Sequence, residues 1–207
     1  SGELQEEAIR MIGIGGNQDS LATLMSIYES GDSEAREAVI EAFMIAGDSQ
    51  AILEIALVAE GDDYEEAIDM LGAMGARDEL RQLREKNGAS EALIDAYAIS
   101  GELAELRAMA MDASDPDLQA QAIEAMGIVG GSEVNASLVD IYRNAKSDDI
   151  REAALEGMMI SGHDEGVLEL YRSTDDKKLK KELLEQLVIM GSDEVWNIID
   201  SALDGGL

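Results

Sequence analysis

The 207-residue chain has no cysteine, one proline and one histidine, and its aromatic residues are one Phe, one Trp and five Tyr. The missing cysteine excludes disulfides, thiolate metal sites and a cysteine nucleophile. With so little proline and so few aromatics, and with Ala, Leu, Ile, Met and Glu abundant, the composition is that of an all-α protein. Cations are scarce as well: 15 Lys and Arg stand against 45 Asp and Glu, a net charge of −30. Nucleic acid and anionic membrane are themselves polyanions, so neither is expected as a partner. No apolar run approaches the roughly 18 residues that a membrane span needs. The expectation is a soluble protein whose compartment is unknown, export included. The chain opens Ser1-Gly2 without Met. Residues 1–3 therefore read as a cloning scar and frayed start, which leaves open whether a signal peptide was trimmed.

What the chain does have is a repeat. The nine residues Ala122 to Gly130, AIEAMGIVG, return as AIRMIGIGG ending at Gly16, VIEAFMIAG at Gly47, AIDMLGAMG at Gly75, LIDAYAISG at Gly101, ALEGMMISG at Gly162 and LLEQLVIMG at Gly191. The glycines are 31, 28, 26, 29, 32 and 29 residues apart. A near-constant period of this length marks stacked two-helix units. At this length the chain is able to form one core or two small ones. Because the repeats run almost end to end, one continuous solenoid domain over 4–207 is expected.

Each unit reads as helix, glycine turn, helix and short acidic loop. The first helices are expected from about Leu4 to Gly16, then over 34–47, 64–75, 90–101, 117–130, 149–162 and 178–191. The second helices are expected over 20–29, 50–60, 77–86, 102–112, 133–144, 164–173 and 193–204, with fraying at Gly205-Gly206. That makes about fourteen helices in seven pairs. A helix that must reverse within two or three residues ends at least cost in the left-handed conformation, which glycine enters freely. Gly13-Ile14-Gly15-Gly16 and Gly127 to Gly131 follow helices, not strands, so their spacing reports architecture and not a dinucleotide loop. Pro116 reads as a stop between units.

AREAVIEAFMIAGDSQ from Ala35 and IREAALEGMMISGHDE from Ile150 resemble the short HEAT-like repeats of bacterial and archaeal proteins, the type also found in phycobilisome lyase subunits. The usual pattern there is Val-Arg, two free positions, Ala-Ala, one free, Ala-Leu-Gly, one free, Ile-Gly-Asp. The resemblance covers nearly the whole chain. It implies an α-α superhelix in which the helix before each glycine lines the concave side. The pattern's Arg stands here only as Arg36 and Arg151, with Lys180 as a near substitute. Gln5, Tyr64, Ser90 and Gln119 depart from it.

Numbering the motif 1 to 9 on a helical wheel at about 100° per residue puts positions 1, 2, 5 and 8 on a core stripe. Positions −1, 3 and 7 share the opposite face. Position −1 holds Glu6, Glu37, Glu65, Glu91, Ala120, Glu152 and Lys181; position 3 holds Arg10, Glu41, Asp69, Asp95, Glu124, Glu156 and Glu185. Position 7 holds Ile14, Ile45, Ala73, Ile99, Ile128, Ile160 and Ile189. Two acidic rows and one isoleucine row thus share one surface. The acids have a solubility explanation, since a thin stack needs charge. The isoleucines have two: burial against adjacent first helices, or an apolar strip for a partner.

Other candidates are weaker. His163 sits in a turn and reads as solvated. Among 45 acids a glycosidase-type carboxylate pair has no specificity, and no calcium-loop pattern is present. Trp196, with Val195, Ile199 and Leu203, reads as core or terminal cap. Arg77, Arg81, Arg84 and Lys86 would answer neighbouring acids, and Lys177 to Lys181 would open a helix. No catalytic residue, cofactor or metal is expected.

The sequence points to a non-catalytic interaction module whose partner is a basic or amphipathic protein segment, with a monomer expected. The groove would measure about 60 Å and take about 18 extended residues. The partner-binding residues would be Glu37, Glu41, Ile45, Glu65, Asp69, Glu91, Asp95, Ile99, Glu124, Ile128, Glu152, Glu156, Ile160, Glu185 and Ile189. The alternatives are an architectural spacer or cap within a larger protein, and, from the resemblance alone, an enzyme's accessory subunit.

Overall fold

The structure, a computed structural model, describes residues 2–112 and 114–204. Ser1 and the expected fray at Gly205-Gly206 lie outside the described residues. The described residues form fourteen α-helices and no strand. The first helices of the seven pairs are α1 (Gly2–Gly15), α3 (Ser33–Ala46), α5 (Asp62–Met74), α7 (Glu91–Ser100), α9 (Pro116–Val129), α11 (Asp148–Ile160) and α13 (Lys177–Met190). The second helices are α2 (Gln18–Ser30), α4 (Ser49–Ala56), α6 (Arg77–Asn87), α8 (Leu103–Ala110), α10 (Ser132–Asn144), α12 (Asp164–Ser173) and α14 (Glu194–Asp204). The chain falls into two compact units, Ser1–Glu102 with α1 to α7 and Leu103–Leu207 with α8 to α14.

The acidic loops start the helices. Asn17, Asp32, Asp48, Ser90, Asp115, Ser147 and Asp176 each accept a backbone N–H of the following first turn. Each such cap stabilises its helix by about 1 kcal/mol. Pro116 opens α9 behind the Asp115 cap instead of standing between units. Its missing N–H costs nothing there, because a first-turn N–H has no intrahelical partner.

All seven motif glycines have positive φ, between 57° and 75°. At Gly47 the N–H donates to Met44 O and the next N–H, of Asp48, donates to Phe43 O. This paired closure satisfies two carbonyls that the helix end would otherwise leave open. Gly130 differs, with an extended ψ of −167° and Gly131 behind it at φ 94°.

The core is built from motif positions 1, 2 and 5. Phe43, Leu71, Tyr97, Met126, Met158 and Leu187 at position 5 are buried, and Ile12 is half-buried. The second helices add Ile52, Leu53, Leu80 and Leu83 in the first unit, and Leu106, Leu138 and Val167 in the second. Position 8 is not core, contrary to the wheel: Ala46, Met74, Ser100, Val129, Ser161 and Met190 are half-buried and Gly15 is exposed. It is the last helical position before the turn, or the cap in α11, where the neighbouring helices cover it only in part.

Positions 4 and 6 are buried instead wherever they are small. A methyl built on Gly13 would lie 2.9 Å from Ala42 Cα, one on Gly72 2.9 Å from Ala96 Cα, and one on Gly127 2.8 Å from Gly157 Cα. In each case position 6 of one first helix lies on position 4 of the next. These glycine seams let α1 approach α3, α5 approach α7 and α9 approach α11 closely.

The second helices are tied by polar contacts. Ser49 Oγ donates to Glu79 at 2.8 Å, and Arg77 Nε meets Glu102 at 2.7 Å. In the second unit Arg107 bonds Glu133 and Ser137, Arg143 bonds Glu169, and Arg172 bonds Glu194 at 3.2 Å. In the second unit each of these arginines reaches forward to the next second helix, whereas Arg77 reaches Glu102 in the turn after α7.

Candidate functional site

The expected site residues lie on the first helices. In the first unit Glu37 and Glu41 sit on α3, Glu65 and Asp69 on α5, and Glu91 and Asp95 on α7, all exposed. In the second unit Glu124 on α9 is half-buried, while Glu152 and Glu156 on α11 and Glu185 on α13 are exposed. Ile45 and Ile99 in the first unit are 41% and 61% exposed; Ile128, Ile160 and Ile189 in the second are 58%, 48% and 68% exposed. Of the two explanations for the isoleucine row, burial against adjacent helices is thereby excluded. The row is a surface.

Two sets of neighbours fix the register. Position 6 meets position 4 across the glycine seams, and position 3 faces position 3 across the same helix pairs. The Asp95 carboxyl, exposed yet partly desolvated by the surrounding protein, is raised above its ordinary pKa by that desolvation first, then by the Glu91 and Asp69 carboxylates. Glu124 is raised by burial, then by Glu156 and Glu152. Packing at the seams and the mutual influence of these carboxylates bring α5 beside α7 and α9 beside α11 along the acidic face. The sequence positions therefore form true rows within each unit.

Glu66 was not among the expected site residues. Burial raises its carboxyl, followed by Glu37, Asp69 and Glu41. It immediately precedes the motif, where Glu7 and Glu182 stand in other repeats, and that recurrence is the signal that marks it. Among the described residues, Glu185 has Lys181 at 3.7 Å, whereas the other expected acidic site residues have no cation within ion-pairing distance. These carboxylates repel one another without internal compensation. The row is interrupted by Arg10 at one end, by Ala120 on α9 and by Lys181 on α13.

Two clefts accompany the rows. One of about 390 Å³ between α1 and α3 is lined by Glu3, Glu6, Glu7, Arg10, Glu34 and Glu37. Another of about 280 Å³ lies between α11 and α13, lined by Arg151, Glu152, Leu155, Lys178, Glu182 and Gln186 among others. Here positions 6 and 4 hold Met159 and Gln186 in place of a small pair. No group of three or more His, Asp or Glu among the described residues is placed to hold a metal ion. No helix of the described residues is long and apolar enough to cross a membrane.

The remaining candidates have local roles. His163 is the residue before α12, half-buried against Gly166. Trp196 is 69% exposed and so is not core. The lysine cluster opens α13, with Lys178 paired to Glu182 at 3.6 Å and Lys180 5.6 Å above the Tyr171 ring. Arg36 binds Asp63 at 2.6 Å and the Gly31 carbonyl at 3.1 Å. Gln119, where the HEAT-like pattern has Arg, donates to Ala110 O at 2.8 Å and ties α9 to the end of α8 as Arg36 ties α3 to Gly31. Arg151 pairs within its own first turn, with Asp148.

No protein-family model matches the chain, and no curated protein matches its sequence.

Proposed function

We propose that the chain is a non-catalytic interaction module, and that the exposed face of its first helices binds a basic or amphipathic segment of another protein. The observation that carries this reading is the segregation of charge. Apart from Arg36, which bonds Asp63 between α3 and α5, the interhelical arginines serve the second helices, while the expected acidic site residues other than Glu185 have no cation within ion-pairing distance and stand beside a row of exposed isoleucines. A stack that needed charge only for solubility would gain nothing from lining isoleucines along the same face.

The two kinds of row divide the work. Each exposed carboxylate–lysine pair contributes about 0.2–1 kcal/mol, so the acids chiefly speed association and reject acidic partners. An isoleucine moved from water to full burial contributes about 1.5–3 kcal/mol, so the apolar row supplies most of the affinity. The resemblance of the repeat to short HEAT-like units supports the same face.

The test is affinity capture from the source organism's lysate at low and physiological salt. It compares the parent chain with a Glu41→Gln, Asp69→Asn, Asp95→Asn, Glu124→Gln, Glu156→Gln variant. The expected result is a basic partner held by the parent, lost by the variant and weakened by salt. Identical captures from both proteins would refute the proposal.

A further inference from the structure

Resting on that reading, we infer that the segment bound by the first unit is a cationic amphipathic α-helix with a seven-residue apolar repeat, laid across α3, α5 and α7 with its bulkiest apolar side chain over Ala73. The spacing of the rows selects the conformation. Packed helices are about 8–10 Å apart, so side chains that meet equivalent positions on successive helices must recur at about that distance. A β-strand returns to the same face after about 6.7 Å or 13 Å and falls out of step by the second helix. Seven residues of α-helix advance about 10.5 Å, and three residues of polyproline helix about 9.3 Å. Polyproline segments dock in aromatic-lined grooves. The rows on α3, α5 and α7 contain Glu, Asp, Ile and Ala only, and the nearby Tyr97 is buried. The α-helix remains.

The width agrees. Positions 3 and 7 of one helix are about 6 Å apart along its axis, within the roughly 10–12 Å diameter of a helix with its side chains. One helix therefore sets an apolar stripe on Ile45 and Ile99 while a flanking Lys or Arg stripe meets Glu41, Asp69 and Asp95. Ala73 breaks the isoleucine row between Ile45 and Ile99. The Ala73 side chain is exposed and three carbons shorter than isoleucine, so a large apolar side chain has more room over α5 than over its neighbours.

The experiment uses fluorescein-labelled peptides of about three heptads and reads anisotropy against the full chain at physiological salt. The probes are a lysine-flanked peptide with Leu at every seventh position, a scramble of the same composition, and the first peptide with its central Leu changed to Ala. The proteins are wild type, Ala73→Ile, and Glu41→Gln, Asp69→Asn, Asp95→Asn. The heptad peptide is expected to bind wild type about tenfold more tightly than the scramble and to gain helical circular dichroism on binding. Ala73→Ile is expected to lose about tenfold for the Leu-centred peptide and almost nothing for the Ala-centred one. Equal binding of heptad and scramble, or an Ala73→Ile effect indifferent to the central residue, overturns the inference. The acid variant separates the two claims. If it loses every peptide while those equalities hold, the acidic face stands and only the helical socket fails; if it binds all of them as wild type does, both fail.

Discussion

Replacing Gly127 by alanine adds one methyl at the place where α9 and α11 come closest. The added carbon lies 2.8 Å from Gly157 Cα and 2.9 Å from its carbonyl carbon, with the carbonyl oxygen nearer still. Carbon atoms pack favourably at about 3.5–4.0 Å, so the helices must separate by roughly 1 Å. The obstacle is backbone and cannot rotate aside. Against this, alanine is favoured over glycine inside a helix by about 1 kcal/mol. Overpacking of a tight contact costs about 1–3 kcal/mol, and separation also loosens Ile123 and Met126, both buried beside the seam. The net expectation is a loss of about 1–2 kcal/mol. Gly15→Ala is the control, because a methyl there meets nothing within 4 Å; it should leave stability unchanged or raise it by up to about 1 kcal/mol. Gly13→Ala, 2.9 Å from Ala42 Cα, should reproduce the loss in the first unit. Urea unfolding followed by circular dichroism at 222 nm gives the midpoints. Gly127→Ala as stable as wild type, or Gly15→Ala as damaging as Gly127→Ala, would refute the seam.

The acidic rows predict a pH dependence. Asp95 and Glu124 have folded-state pKa values raised by desolvation and then by neighbouring acids, so the folded state binds their protons more tightly than the unfolded state. These two groups should therefore add stability as pH falls into the carboxylate range, and Asp95→Asn with Glu124→Gln should remove that contribution; a thermal midpoint with the same pH dependence in wild type and the double variant contradicts it. Arg107, bonded to the Glu133 side chain and carbonyl and to Ser137, should cost about 0.5–1.5 kcal/mol as Arg107→Ala. Arg172→Ala, which breaks the exposed pair with Glu194, should cost close to nothing, and equal losses from the two would argue against a graded ladder. Ile99→Ser should move stability by no more than about 0.5 kcal/mol, whereas Ile94→Ala, at a residue 1% exposed, should cost about 2–5 kcal/mol by chemical denaturation.

The repeat was legible because glycine has a backbone role no other residue fills cheaply. The seven spaced glycines marked seven turns, and positions 1, 2 and 5 marked the core. The wheel failed at position 8 and overlooked positions 4 and 6 for one reason. A helix in a stack is covered by its pair mate and by first helices alongside, so its buried arc is wider than a single amphipathic stripe and follows those neighbours. Gly72 and Gly127 read as small residues in the sequence, yet their function appears only when Ala96 and Gly157 are seen opposite them. The acidic and isoleucine residues were identifiable from periodicity, whereas exposure of the isoleucines was not: Ile45 and the buried Ile40 are the same residue type five positions apart. Pro116 was placed at a boundary correctly, but on the wrong side of it, because a helix stop and a first-turn proline look alike without the Asp115 cap.

The glycine seams are also a statement about stiffness. Where α9 lies on α11 the helices touch backbone to backbone, with no side chain between them to deform. Between α11 and α13 the same two positions carry Met159 and Gln186, and a cleft of about 280 Å³ with mixed polar and apolar walls lies between the two helices. Under a bending or pulling load the strain collects in the most compliant joint. Within the second unit the joint between α11 and α13 is thus the softer one, and it should yield before α9 and α11 part.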